Sequence, residues 1–110
     1  MLIRSQNKEL LVNFNVSAGI EIEERNTKTV VTSYITGCSY LLGEYSTKAK
    51  SMKVLDMIQE AYADEKLVDY TTYLQQKEIE KMDDSTIFAI RNELMKKAVF
   101  QMPEDSEVDG

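Results

Sequence analysis

The sequence predicts an α+β fold in a single domain, and three observations carry that expectation. Isoleucine and glutamate alternate over Ile20, Glu21, Ile22 and Glu23, the period of a half-buried strand. Lys28–Thr36 is rich in β-branched and aromatic residues, which suit a pleated surface. From Ser46 to about Tyr62 there is no glycine or proline, and Val54, Ile58, Ala61 and Tyr62 form a helical stripe.

The elements follow in order. Leu2 and Ile3 open a short strand, Gln6-Asn7-Lys8 makes a turn, and Leu10, Leu11 and Val12 form a second apolar run. Ile20–Glu23 is the next strand. Arg25-Asn26-Thr27 is a hairpin turn, because asparagine tolerates positive φ. The returning strand is Lys28–Thr36, and a turn at Gly37-Cys38-Ser39 leads into Tyr40–Tyr45, with Gly43 placed for a bulge. These segments predict one antiparallel sheet of four to five strands.

Ser46 or Thr47 caps the long helix, whose outer face carries Lys48, Lys50, Lys53, Asp56 and Glu60. Residues 64–98 read as a helical insertion, with a second helix over 64–82 and a third after the capping cluster Asp83-Asp84-Ser85. Val99–Met102 is a closing strand stopped by Pro103, giving a domain over 1–103. Residues 104–110 are expected to be a flexible acidic tail.

The chain has 110 residues and a net charge of −6, unevenly spread. Residues 1–62 balance seven basic against seven acidic side chains, whereas residues 99–110 carry four acidic and none basic. A nearly neutral body gives no electrostatic grip on nucleic acid. The opening residues lack a signal-peptide pattern, and no run approaches the roughly 20 apolar residues of a membrane span. With a single cysteine the chain fits a reducing cytoplasm.

The chemical inventory argues against an enzyme. Histidine, the commonest general base and metal ligand, is absent. Cys38 has no histidine partner and reads as an inert small side chain. The four glycines form no phosphate-binding pattern, and zinc lacks a ligand set. Glu21, Glu23, Glu24, Asp83 and Asp84 could offer oxygen to a hard cation, but Glu21 and Glu23 fit the solvent face of a strand better, and Asp83-Asp84 fit helix caps. No cofactor is implied.

Six tyrosines without a tryptophan form a skewed aromatic set. Tyrosine is favoured at interfaces because it buries area at little entropic cost and keeps a polar tip. Most of the six suit the edge of the core, whereas Tyr70 and Tyr73 lie outside the convincing core pattern. The expected partner contacts are therefore Tyr70, Tyr73 and Arg91, with Glu104 and Asp105 from the acidic tail.

Three segments carry a resemblance. They are Leu2-Ile3-Arg4-Ser5-Gln6, Leu42-Gly43-Glu44-Tyr45-Ser46-Thr47 running into Lys53–Ile58, and Phe100-Gln101-Met102-Pro103-Glu104. Their order and wording resemble small proteins encoded by phages, prophages and integrative elements of Gram-positive bacteria, over residues 1–62 and 99–108. The resemblance implies a sheet-plus-helix unit and an accessory role in a mobile element, and it brings no catalytic residues. Residues 64–98 depart from that pattern.

The leading expectation is a protein-binding module directed at a host protein, such as an inhibitor of a CRISPR effector or other defence complex. Sequestration of a nucleotide signal is the second reading and would need Arg4, Arg25 and Arg91 to converge. Assembly as a structural homo-oligomer is the third.

Overall fold

The computed structural model describes residues 1–74, 83–85, 88–89 and 98–109, with side chains in the helix described as far as Leu67. Among the described residues six strands form two three-stranded sheets rather than one sheet.

The first sheet has the order β2-β1-β6. β1 (Leu2–Arg4) pairs antiparallel with β2 (Leu11–Asn13), across a loop in which Lys8 takes a φ of 67°. β1 also pairs in parallel with β6 (Val99–Gln101), so the closing run does return to a sheet. Ile3, on the central strand, is fully buried.

The second sheet, β3-β4-β5, is two consecutive hairpins: β3 (Gly19–Arg25), β4 (Lys28–Ile35) and β5 (Cys38–Tyr45). Asn26 turns the first hairpin at a φ of 53°. Thr36 and Gly37 turn the second at 47° and 83°, one residue earlier than the sequence suggests. Positive φ at both central positions suits the right-handed twist of the strands, but Thr36 is β-branched and strained there. The β4–β5 register slips between Val31 and Thr32, leaving Leu42 as the extra residue beside Gly43. A side chain at 43 would stand 3.1 Å from the Tyr45 ring, so only glycine lets that ring lie down.

α1 (Lys48–Leu74) is one unbroken helix of 27 residues, about 40 Å long. The break expected near residue 64 does not occur, and the chain there stays free of glycine and proline. Thr47 Oγ1 caps the helix by accepting from the Lys50 amide at 3.2 Å. Ser51, Val54 and Ile58 are buried, with Leu55, Ala61 and Tyr62 packed alongside. The expected helical insertion lies mostly outside the described residues, of which Asp84, Ser85, Phe88 and Ala89 are helical.

The acidic close differs from the flexible tail expected of it. Asp105–Glu107 forms a single 3₁₀ turn, and Val108 is buried in the same core as Ile3, Leu42 and Val54. Burying that one apolar side chain brings the acidic segment against the body, where the Asp105 carboxylate meets Ser46 and Lys50 and the Asp109 carbonyl meets Lys53.

Candidate protein-contact surface

The two ends of β5 have different surroundings. At its C-terminal end the three segments that carry the sequence resemblance meet. The Gln6 amide donates from Nε2 to the Glu44 and Pro103 carbonyls, at 3.1 and 3.2 Å, and accepts at Oε1 from the Glu44 amide at 2.9 Å. The Gln6 backbone amide donates to the Leu42 carbonyl at 2.7 Å. The Tyr45 hydroxyl, fully buried, donates to the Pro103 carbonyl at 2.8 Å. Burial pushes this phenol well above its ordinary pKa, helped by the negative charges of Glu104, Asp105 and Glu107.

Asp105 completes the junction. Its carboxylate accepts from the Ser46 amide at 2.7 Å, from the Ser46 hydroxyl at 3.2 Å and from Lys50 Nζ at 3.2 Å. The Ser46 amide, then Lys50, hold this carboxyl below its usual range. A concavity of about 450 Å³ borders the junction, lined by Thr27, Lys28, Glu44 and Glu104 among others. Its polar groups are largely spent on the fold, and Lys28 pairs with Glu44 at 3.7 Å. Of the expected contacts, Glu104 is exposed on this rim, whereas Asp105 is engaged internally. Tyr70 and Tyr73 fall on α1 with side chains outside the described residues, and Arg91 lies outside them altogether.

Of the arginines that would have to converge on a nucleotide, the two among the described residues stand on different sheets. Arg4 Nε donates to the Lys8 carbonyl in the first sheet's loop, and Arg25 pairs with Glu23 at 3.0 Å in the second sheet's hairpin. Among the described residues no group of three acidic, cysteine or histidine side chains is placed to hold a metal ion. No described helix is long and apolar enough to cross a membrane.

The other end of β5 belongs to the Thr36-Gly37 hairpin. Strand alternation puts Ile22, Val31 and Tyr45 on the face toward the core, with Val30, Thr32 and Tyr34 on the opposite face. Val30 accordingly takes no part in the core cluster although it is buried. Rows run across this outer face: Glu23, Val30 and Glu44; then Glu21, Thr32 and Leu41; then Gly19, Tyr34 and Ser39. Arg25 and Lys28 form the row before Glu23, so the face passes from charged and ion-paired to uncharged toward the Thr36-Gly37 hairpin tip.

Tyr34 is 44 % exposed and Leu41, diagonal to it, 42 %. Beside Tyr34 lies a groove of about 350 Å³ lined by Ala18, Gly19, Ile20 and Glu21. Ser17 fixes its wall, bonding to the Ser33 hydroxyl at 2.9 Å and the Gly19 carbonyl at 2.9 Å.

Sequence reasoning missed this surface, although a signal was present. Residues 10–20 and 29–43 contain no charged side chain in a chain that is 29 % charged, and the fold pairs Gly19 and Ile20 at the end of the first run with Tyr34 and Ser33 in the second. Two of the other tyrosines are otherwise employed: Tyr45 is buried, and Tyr62 packs on Phe14 with ring centroids 4.9 Å apart. No protein-family model, curated protein or solved structure matches the chain.

Proposed function

We propose that this chain is a non-catalytic accessory protein that works by binding another protein through the outer face of its second sheet. The observation that carries the reading is the exposed pair Tyr34 and Leu41 on the uncharged end of that face, with a groove beside them. An amphipathic aromatic ring next to an aliphatic side chain, rimmed by Glu21, Glu23 and Glu44, has the make-up of a contact patch. The resemblance to phage and integrative-element proteins makes a bacterial defence complex the first partner class to test.

This reading is distinct from acidic mimicry of nucleic acid. An uncharged contact holds in salt, whereas capture of a basic channel by carboxylates weakens as salt screens it. The test is affinity capture from a Gram-positive host lysate at low and high salt, using wild type, Tyr34→Ala and Leu41→Lys. We expect one stoichiometric protein, retained at high salt and lost with either substitution. Capture that survives both substitutions but vanishes in salt would refute the outer face as the contact.

A further inference from the structure

The two outer strands of the β3-β4-β5 sheet are protected unequally. The β3 edge carries Glu21, Glu23, Glu24 and Arg25, charges of the kind that keep edge strands from pairing with one another. The β5 edge carries no charge from Cys38 to Gly43, and Cys38, Ser39, Tyr40 and Leu41 are all exposed. Among the described residues no strand pairs with this edge.

Backbone geometry fixes which groups point outward. Ile35 and Cys38 flank a two-residue turn and so form a hydrogen-bonded pair. Pairs then alternate, so Tyr34 and Ser39 do not bond to each other. Tyr34 instead gives its carbonyl to the Ala18 amide at 2.8 Å on the far side. Ser39 and Leu41 therefore aim both their amide and their carbonyl away from β4. Beyond Leu41 the edge is closed, because Gln6 takes the Leu42 carbonyl and the Glu44 amide.

We infer that the open edge of β5 pairs antiparallel with the same edge of a second copy, about a two-fold axis at Tyr40. In that register Ser39 of each copy faces Leu41 of the other, and each pair exchanges two backbone hydrogen bonds. The two Tyr40 residues stand opposite each other as a cross-strand aromatic pair. Cys38 and Gly37 of the second copy arrive beside Leu42. There a concavity of about 230 Å³ lies against Gln6, Asn7 and Gly43 and can receive the hairpin tip. The symmetry repeats each contact, so the open stretch, the stop at Gln6 and the hollow are mutually matched. The product is one six-stranded sheet with two Tyr34–Leu41 patches on the same face. Only a few residues per copy are involved, so the dimer is weak and depends on concentration.

Sedimentation velocity of the full chain over rising concentration tests this directly. The mass should move from 12.6 kDa toward twice that value. Tyr40→Lys sets two like charges opposite each other. Ser39→Pro deletes an outward amide without touching the bonds to β4. Each should hold the chain at the monomer mass, while Glu24→Ser on the other edge should leave dimerisation unchanged. Circular dichroism checks the fold of each variant, and Tyr40→Lys decides if Ser39→Pro does not fold. A wild-type chain that stays at 12.6 kDa at every soluble concentration overturns the inference, and so does a dimer that survives both edge substitutions. A wild-type monomer that still captures a foreign partner would remove this inference and leave the outer-face reading standing.

Discussion

The two halves of β5 use the same backbone in opposite ways. From Leu42 to Tyr45 the outward groups are spent within the chain, on Gln6, and the Tyr45 hydroxyl is spent on Pro103. From Cys38 to Leu41 the side chains are exposed, and the outward amides and carbonyls of Ser39 and Leu41 have no strand beside them among the described residues. One half fastens the fold and the other presents a surface. Substitutions in the first half should therefore cost stability, and those in the second should cost association.

The largest expected effect is Tyr45→Ala. It empties a fully buried aromatic site and removes a donor from Pro103, so chemical denaturation should show a loss of about 3–5 kcal/mol. A loss below about 1 kcal/mol would mean that this half of the strand is not the anchor.

Next comes the pH dependence of the same residue. Below about pH 10 the phenol is protonated both folded and unfolded, and its contribution is complete. As pH rises past that point the unfolded tyrosine ionises while the buried one resists, so stability falls by about 1.4 kcal/mol per pH unit. Tyr45→Phe should flatten this limb in pH-dependent denaturation curves. The acid limb runs the other way at Asp105, whose carboxyl is held low by the Ser46 amide. Its contribution is present above the usual carboxylate range and is lost as pH falls through the lowered value, and Asp105→Asn should remove that dependence.

Smaller still is Thr36→Asn at the presenting end. Asparagine tolerates the φ of 47° better than a β-branched residue, so thermal denaturation should show a gain of about 1 kcal/mol. The smallest expected change is Leu41→Lys, which should alter stability by less than about 0.5 kcal/mol while abolishing partner capture. A large loss of stability with Leu41→Lys would erase the contrast between the two halves.

Much of the fold was legible locally. The alternation at Ile20–Glu23, the turn at Asn26, the cap at Thr47 and the stripe Val54, Ile58, Tyr62 all depend on near neighbours in sequence. The division into two sheets was not legible, because β1 finds β6 across more than ninety residues and no local pattern encodes a parallel partner. The packed close was half legible, since Val108 is the one apolar residue among the acids of 104–109 and its burial draws the segment in. The exposed outer face escaped because Lys28–Thr36 is β-prone on both of its faces. Alternation along that strand could not say which face a helix would cover. Counting where charge is missing, rather than where tyrosine is present, would have pointed to Tyr34 and Leu41.

The parallel pairing of β1 with β6 also bears on the order in which the molecule is made. Residues 19–45 hold two adjacent hairpins, so the second sheet has all its strands as soon as β5 leaves the ribosome. The first sheet waits for residues 99–101, more than fifty residues of synthesis later, which at cellular elongation rates is several seconds. During that interval β1 and β2 stand as a lone, marginal pair with their third strand still unmade. The nascent chain thus carries its presenting hairpin complete while the seam that will anchor it is still open.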